Sequence, residues 1–142
     1  MAKIEGAGKV GAAELGFGFV KIAVGEYDFA VDGGAVSTIN LRGDKLPNGA
    51  RVIDCLLVVD TALAGGTATD TLSLGAESTT DLQAAAARNG APWSTTGSKR
   101  VSLTATSAPA VLTAERSIRF VINATALTSG KFRALVSYVE LA

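Results

Sequence analysis

The sequence predicts an all-β fold: an antiparallel β-sandwich or jelly roll with one short helix and an extended N-terminal arm. Three observations predict it. From Phe17 onward, short segments rich in β-formers or alternating with period two follow one another to the end of the chain. Gly, Asn and Pro punctuate them at the spacing expected of roughly eight strands. Only one segment has a helical composition, and two turns of helix do not stand alone in water.

Residues 1–16 are rich in Gly and Ala and lack a clean period, so they read as a flexible or extended arm. The alternative is a first strand that pairs only when a partner is present. Residues 17–142 form the sandwich domain. Phe17–Val24 is rich in β-formers, and Tyr27–Asp32 alternates, with Tyr27, Phe29 and Val31 on one face. Gly33-Gly34 breaks the pattern, and Val36–Leu41 reads as the next strand. Pro47-Asn48-Gly49 is a turn, since Pro presets φ and Asn-Gly accepts positive φ.

Arg51–Thr61 is the most apolar strand. Ile53, Cys55, Leu57 and Val59 share one face. Leu56 and Val58 lie on the other, between Asp54 and Asp60. Such a strand is central or faces a neighbouring subunit. After Gly65-Gly66-Thr67, Asp70–Gly75 alternates. Asp81–Arg88 is the helix candidate, with Thr80 or Asp81 as its cap and Asn89-Gly90 as its stop. Arg100–Thr106 alternates, Arg116–Ala124 turns Ile118, Phe120 and Ile122 inward, and Thr128–Lys131 turns into the final strand. That strand places Phe132, Ala134, Val136 and Tyr138 on one face and Leu135, Val139 and Leu141 on the other.

Composition narrows the function. A chain of 142 residues buries roughly two-thirds of its unfolded surface and needs no staples. Apolar residues make up 48% and charged residues 18%, which is unlike a disordered chain. With 13 basic and 13 acidic residues the formal charge is zero. That leaves little colloidal repulsion and no electrostatic footprint for nucleic acid. No stretch reaches the ~18 apolar residues of a membrane span. Cys55 is the lone cysteine and lies in an apolar run, so it reads as a buried thiol of a chain made in a reducing cytoplasm. Met1–Gly6 has no apolar core of a secretory signal, and none is expected.

The residues for chemistry are missing. There is no histidine, so a Ser-His-Asp or Cys-His site cannot be built. Asp54 and Asp60, six apart on one strand, lie ~20 Å apart and cannot act on one bond. No catalytic residue, cofactor or enzymatic activity is expected. The acids Asp28, Asp32, Asp44 and Asp70 would bind calcium only if the fold gathered them, and the spaced pattern of an EF-hand is absent. The Gly6-Ala7-Gly8-Lys9-Val10-Gly11 pattern lacks the preceding strand and following helix of a dinucleotide site. Arg42-Gly43-Asp44 suits a turn. Asn123-Ala124-Thr125 is a glycosylation sequon without a secretory route. Trp93, after Pro92, is a lid over one end of the sandwich, a subunit contact or a platform for a sugar.

Several stretches in sequence order resemble a family of small virion proteins of tailed phages. These are Gly34–Leu41, Leu46–Ile53, Gly65–Thr69 leading to Leu72–Gly75, Asp81-Leu82 with its alanine run, and Ala126–Lys131 before Val136–Val139. The likeness spans about residues 30–140 and lies in the order of ordinary turn and strand words. It is similar to capsid decoration, or cement, proteins. The resemblance implies a non-catalytic protein on the capsid surface, assembled in the host cytoplasm, forming a homotrimer and bound to the major capsid protein. Nucleic acid and membrane are not implied as partners. Candidate contact residues are Ile4, Val10 and Leu15 in the arm, Trp93 in its loop, and Leu135, Val139 and Leu141 on the final strand. The alternatives are a tail, fibre or head–tail connector protein, and a carbohydrate-binding module using Trp93 and the loop acids.

Overall fold

The computed structural model describes residues 19–101 and 111–140. Among these residues there are eight strands and one helical turn: β1 Lys21–Asp28, α1 Phe29–Asp32, β2 Ser37–Leu46, β3 Ala50–Ala64, β4 Thr71–Gly75, β5 Gln83–Ala87, β6 Gly97–Arg100, β7 Arg116–Ile122 and β8 Ser129–Glu140. All neighbouring strands are antiparallel, in the order β5-β4-β7-β2-β1-β8-β3-β6. The predicted all-β antiparallel class is therefore what the chain adopts, as one curled sheet.

The sheet curls because β2 changes partners along its length. Its start, Ser37–Asn40, pairs with β7, and so does its end, Lys45-Leu46. Between them, Arg42 and Gly43 swing out to pair with Glu26 and Gly25 of β1. This short join links two halves, β5-β4-β7-β2 and β1-β8-β3-β6, which then face each other across the core. Gly43 has φ +118°, and a Cβ there would lie 2.3 Å from the Val24 carbonyl oxygen. Arg42 pairs with Asp32 at 2.9 Å, and the Asp44 carboxylate accepts the Val24 N–H at 3.0 Å. Arg42-Gly43-Asp44 is thus the crossing point of the sheet.

Aromatic rings fill the space between the halves. Phe120 of β7 lies 4.9 Å from Tyr27 of β1 and 4.9 Å from Phe132 of β8, centroid to centroid. Trp93, in the loop between β5 and β6, lies 5.6 Å from Phe120 and 5.7 Å from Phe132. Ile118 and Ile122 of β7, and Ala134 and Val136 of β8, point into the same core, as alternation predicts. Cys55 is there too. Burial pushes its thiol up to about 12, so it is a packing group and not a nucleophile.

Three local expectations are corrected. First, the helix predicted at Asp81–Arg88 is strand β5, paired with β4 through Thr71↔Ala87, Leu72↔Ala86 and Leu74↔Gln83. The Asp81 carboxylate that resembles a helix cap instead accepts the N–H groups of Ala76 (2.7 Å), Glu77 (3.0 Å) and Ser78 (3.2 Å) in the preceding loop. Alanine's helical preference is a few tenths of a kcal/mol per residue, roughly, and a sheet edge that supplies backbone partners outweighs it over five residues. Second, the helical turn is at Phe29–Asp32, where alternation predicts strand. The Asp28 carboxylate accepts the Ala30 N–H at 3.0 Å and the Asp32 carboxylate accepts the Asp28 N–H at 2.8 Å, a reciprocal cap. Third, the inward row of β3 breaks at Ile53. A register shift between Val52 and Asp54 turns Ile53 outward and Val52 inward.

The loop held by Asp81 gives a pH test. The Glu77 carboxylate accepts hydrogen bonds from the Thr113 hydroxyl (2.7 Å) and N–H (3.2 Å) and from the Arg116 Nε (2.6 Å). These donors, the Thr113 hydroxyl first, lower its pKa from 4.5 to about 2. A depressed folded-state pKa gives stability that is present above the unfolded value and lost as pH falls through the folded one. The chain is therefore expected to lose thermal stability between pH 4.5 and about 2, and Glu77→Gln to lose less over that window. Melting curves of the two proteins across this range check it, and parallel curves would refute the role of Glu77.

Candidate interaction surface

The half-sheet β1-β8-β3-β6 has an outer face that is apolar in its middle. Residues opposite each other across a ladder point to the same side. Val24 of β1 is paired with Leu135 of β8, and Leu135 with Leu56 of β3, so three apolar side chains form one row across three strands. Val58 extends the row along β3. Ile22 lies next to it along β1 and is 56% exposed. At the far end Val139 is opposite Arg51, which bridges to exposed Val111. Ile53, turned outward by the bulge, is 46% exposed beside them.

The rim is charged but compensated within the chain. Lys21 meets Glu140 at 2.9 Å, Asp54 meets Arg100 at 3.3 Å, and Asp60 meets Arg133 at 3.2 Å. Such exposed pairs contribute ~0–1 kcal/mol each to stability. These pairs cancel their own charges beside the apolar row, which offers the contact area.

The residues singled out from the sequence divide three ways. Leu135 and Val139 lie on this outer face, half-buried by their neighbours. Ile4, Val10, Leu15 and Leu141 fall outside the described residues, as does the Gly6–Gly11 pattern. Trp93 is fully buried between the half-sheets, so its ring is offered neither to a subunit nor to a sugar, and it occupies the lid position. Ile22, Ile53 and Val111 are not singled out by the sequence pattern. Ile22 could have been found by carrying the outward row of β8 across to β1. Ile53 could not, because a bulge leaves no mark in an apolar run.

The acids considered for metal binding are dispersed into local roles. Asp28 caps α1, Asp32 pairs with Arg42, Asp44 accepts from Val24 N–H, and Asp70 accepts from the Thr125 hydroxyl. Among the described residues no three His, Cys, Asp or Glu side chains converge. The sequon Asn123 is spent on the fold as well, donating to the Thr71 hydroxyl at 3.2 Å.

No protein-family model matches the chain, and no curated protein matches it. Solved structures do. A chain of the cyanophage Pam1 capsid asymmetric unit is 26% identical, with a TM-score of 0.63 over 87% of this chain and 86% of that one. A chain of the Ralstonia phage GP4 capsid is 23% identical, with a TM-score of 0.57 over 86% and 85%. A chain of the acid-stable capsid of Helicobacter pylori bacteriophage KHP30 is 19% identical, with a TM-score of 0.53 over 87% and 89%. The fold is thus one that occurs in phage capsids.

Proposed function

We propose that this chain is a structural protein of a tailed-phage virion that decorates the outside of the capsid and stabilises it, without enzymatic activity, through repeated protein–protein contacts. The observation that carries the reading is the apolar row Val24–Leu135–Leu56 with exposed Ile22 and Ile53 beside it, on a fold whose solved relatives are chains of phage capsids. Apolar area covered by a neighbour contributes ~25 cal/mol per Å². A shell repeats one modest contact by symmetry many times, and a closed trimer repeats it around an axis. The partners we assign are other copies of this chain, as a homotrimer, and the major capsid protein.

The test uses particles lacking the protein. Added back, the chain binds them in hundreds of copies. Ile22→Glu with Ile53→Glu lowers that binding at least about tenfold, while the thermal midpoint of the free protein moves by little, since both side chains are already exposed. Wild-type binding by the double variant would remove the apolar face from the reading. A copy number of a few per particle would move the protein to a tail or connector.

A further inference from the structure

We propose that the open side of the sandwich, between β5 and β6, receives residues 10–18 of a second copy of this chain as an added strand. The proposal rests on the self-association in the reading above and not on the capsid. One side of the sandwich is closed by the β1–β2 join; the opposite side ends in two strand edges, since β5 and β6 are the first and last strands of the sheet. Among the described residues β5 pairs only with β4 and β6 only with β3, so each has one edge without a strand neighbour, although on β5 the Ala84 and Ala87 carbonyls accept from the Gln83 side chain and the Gly90 N–H. Native edges are commonly guarded by charge, Pro or bulges. Residues 84–87 of β5 are four alanines, which guard nothing.

Between the edges runs a groove of about 490 Å³ lined by Gln83, Ala91, Pro92, Lys99, Arg100 and Val101. Free edges call for an extended occupant rather than a helix. The lining contains two cations and no acid. Arg100 is paired with Asp54, but the Lys99 ammonium meets only the Thr95 carbonyl, so one positive charge is uncompensated among the described residues. The complement is an extended stretch with small and apolar side chains and a single acid. Val10-Gly11-Ala12-Ala13-Glu14-Leu15-Gly16-Phe17-Gly18 is such a stretch: nine residues whose one charge is Glu14. It stands just before β1, whose own position in the sheet is separated from β6 by β8 and β3, so a copy's own segment would have to cross that half-sheet to reach the groove.

The experiment is charge reversal with rescue in the full chain. Wild type, Lys99→Glu, Glu14→Lys and the double variant are compared by sedimentation equilibrium over a concentration series, with circular dichroism melts to confirm that each is folded. Each single reversal is expected to weaken self-association about tenfold or more, and the double variant to restore it to within a few-fold of wild type. Single variants that associate like wild type, or a double variant that fails to recover, overturn the proposal. So does a monomeric wild type whose melting midpoint shifts with the reversals, which would mean that the segment sits in its own groove. A wild type that binds particles yet stays monomeric also overturns it and leaves the virion role standing.

Discussion

Trp93→Ala is expected to lower the thermal midpoint by about 15 °C. The indole is fully buried and touches an aromatic ring from each half-sheet, Phe120 and Phe132. Truncating a buried Trp costs about 3–5 kcal/mol in lost transfer energy and residual cavity. In a domain of this size each kcal/mol moves the midpoint by roughly 4 °C. Trp93→Phe should cost far less. It keeps an aromatic ring in the slot and removes an indole N–H that is buried and has no hydrogen-bond partner among the described residues. Circular dichroism melts of both variants check the order. A Trp93→Ala protein that melts like wild type would contradict the packing and return the ring to the surface.

Gly43→Ala is expected to destabilise the chain by about 3 kcal/mol, or roughly 10 °C in midpoint. Two costs coincide. The backbone is at φ +118°, where a side chain is strained, and the new methyl would lie 2.3 Å from the Val24 carbonyl oxygen. Neither relaxes without moving β1 away from β2, which are joined by the pairs Gly25↔Gly43 and Glu26↔Arg42 and by the Asp44 carboxylate on the Val24 N–H. The variant should therefore loosen the join between the half-sheets, and amide exchange at Gly25 and Glu26 should rise more than in β8. Gly49→Ala is the comparison: it shares positive φ but meets no atom within 4 Å, so it shows the conformational cost alone. Equal losses at the two glycines would show that the clash contributes nothing.

Alternation alone determined much of this protein. Ile118, Phe120 and Ile122 had to share a face, as did Phe132, Ala134 and Val136, because successive side chains of a strand point oppositely. The second apolar faces of β3 and β8 were equally legible: Leu56, Val58, Leu135 and Val139 occupy the positions between the inward ones, and the structure places them on one outer surface. The absence of histidine and the lone cysteine were likewise enough to set the expectation that the chain does no chemistry.

Tertiary structure decided the rest, wherever the local signal was weak or ambiguous. Asp81 with four alanines after it is a helix start by propensity, yet the edge of β4 gave those backbone groups partners and the carboxylate found three loop amides. Tyr27–Asp32 alternates like a strand, yet two aspartates closed it into a helical turn. Trp93 in its loop reads from the sequence as a lid, a subunit contact or a sugar platform, and only the meeting of Phe120 and Phe132 across the core made a slot for it. Which strand lies beside which, and hence that Val24, Leu135 and Leu56 form one row and that β5 and β6 border one groove, depends on contacts between residues far apart in the chain. A strand's own side chains set which face is apolar, but its neighbours are chosen by the packing of the whole sheet.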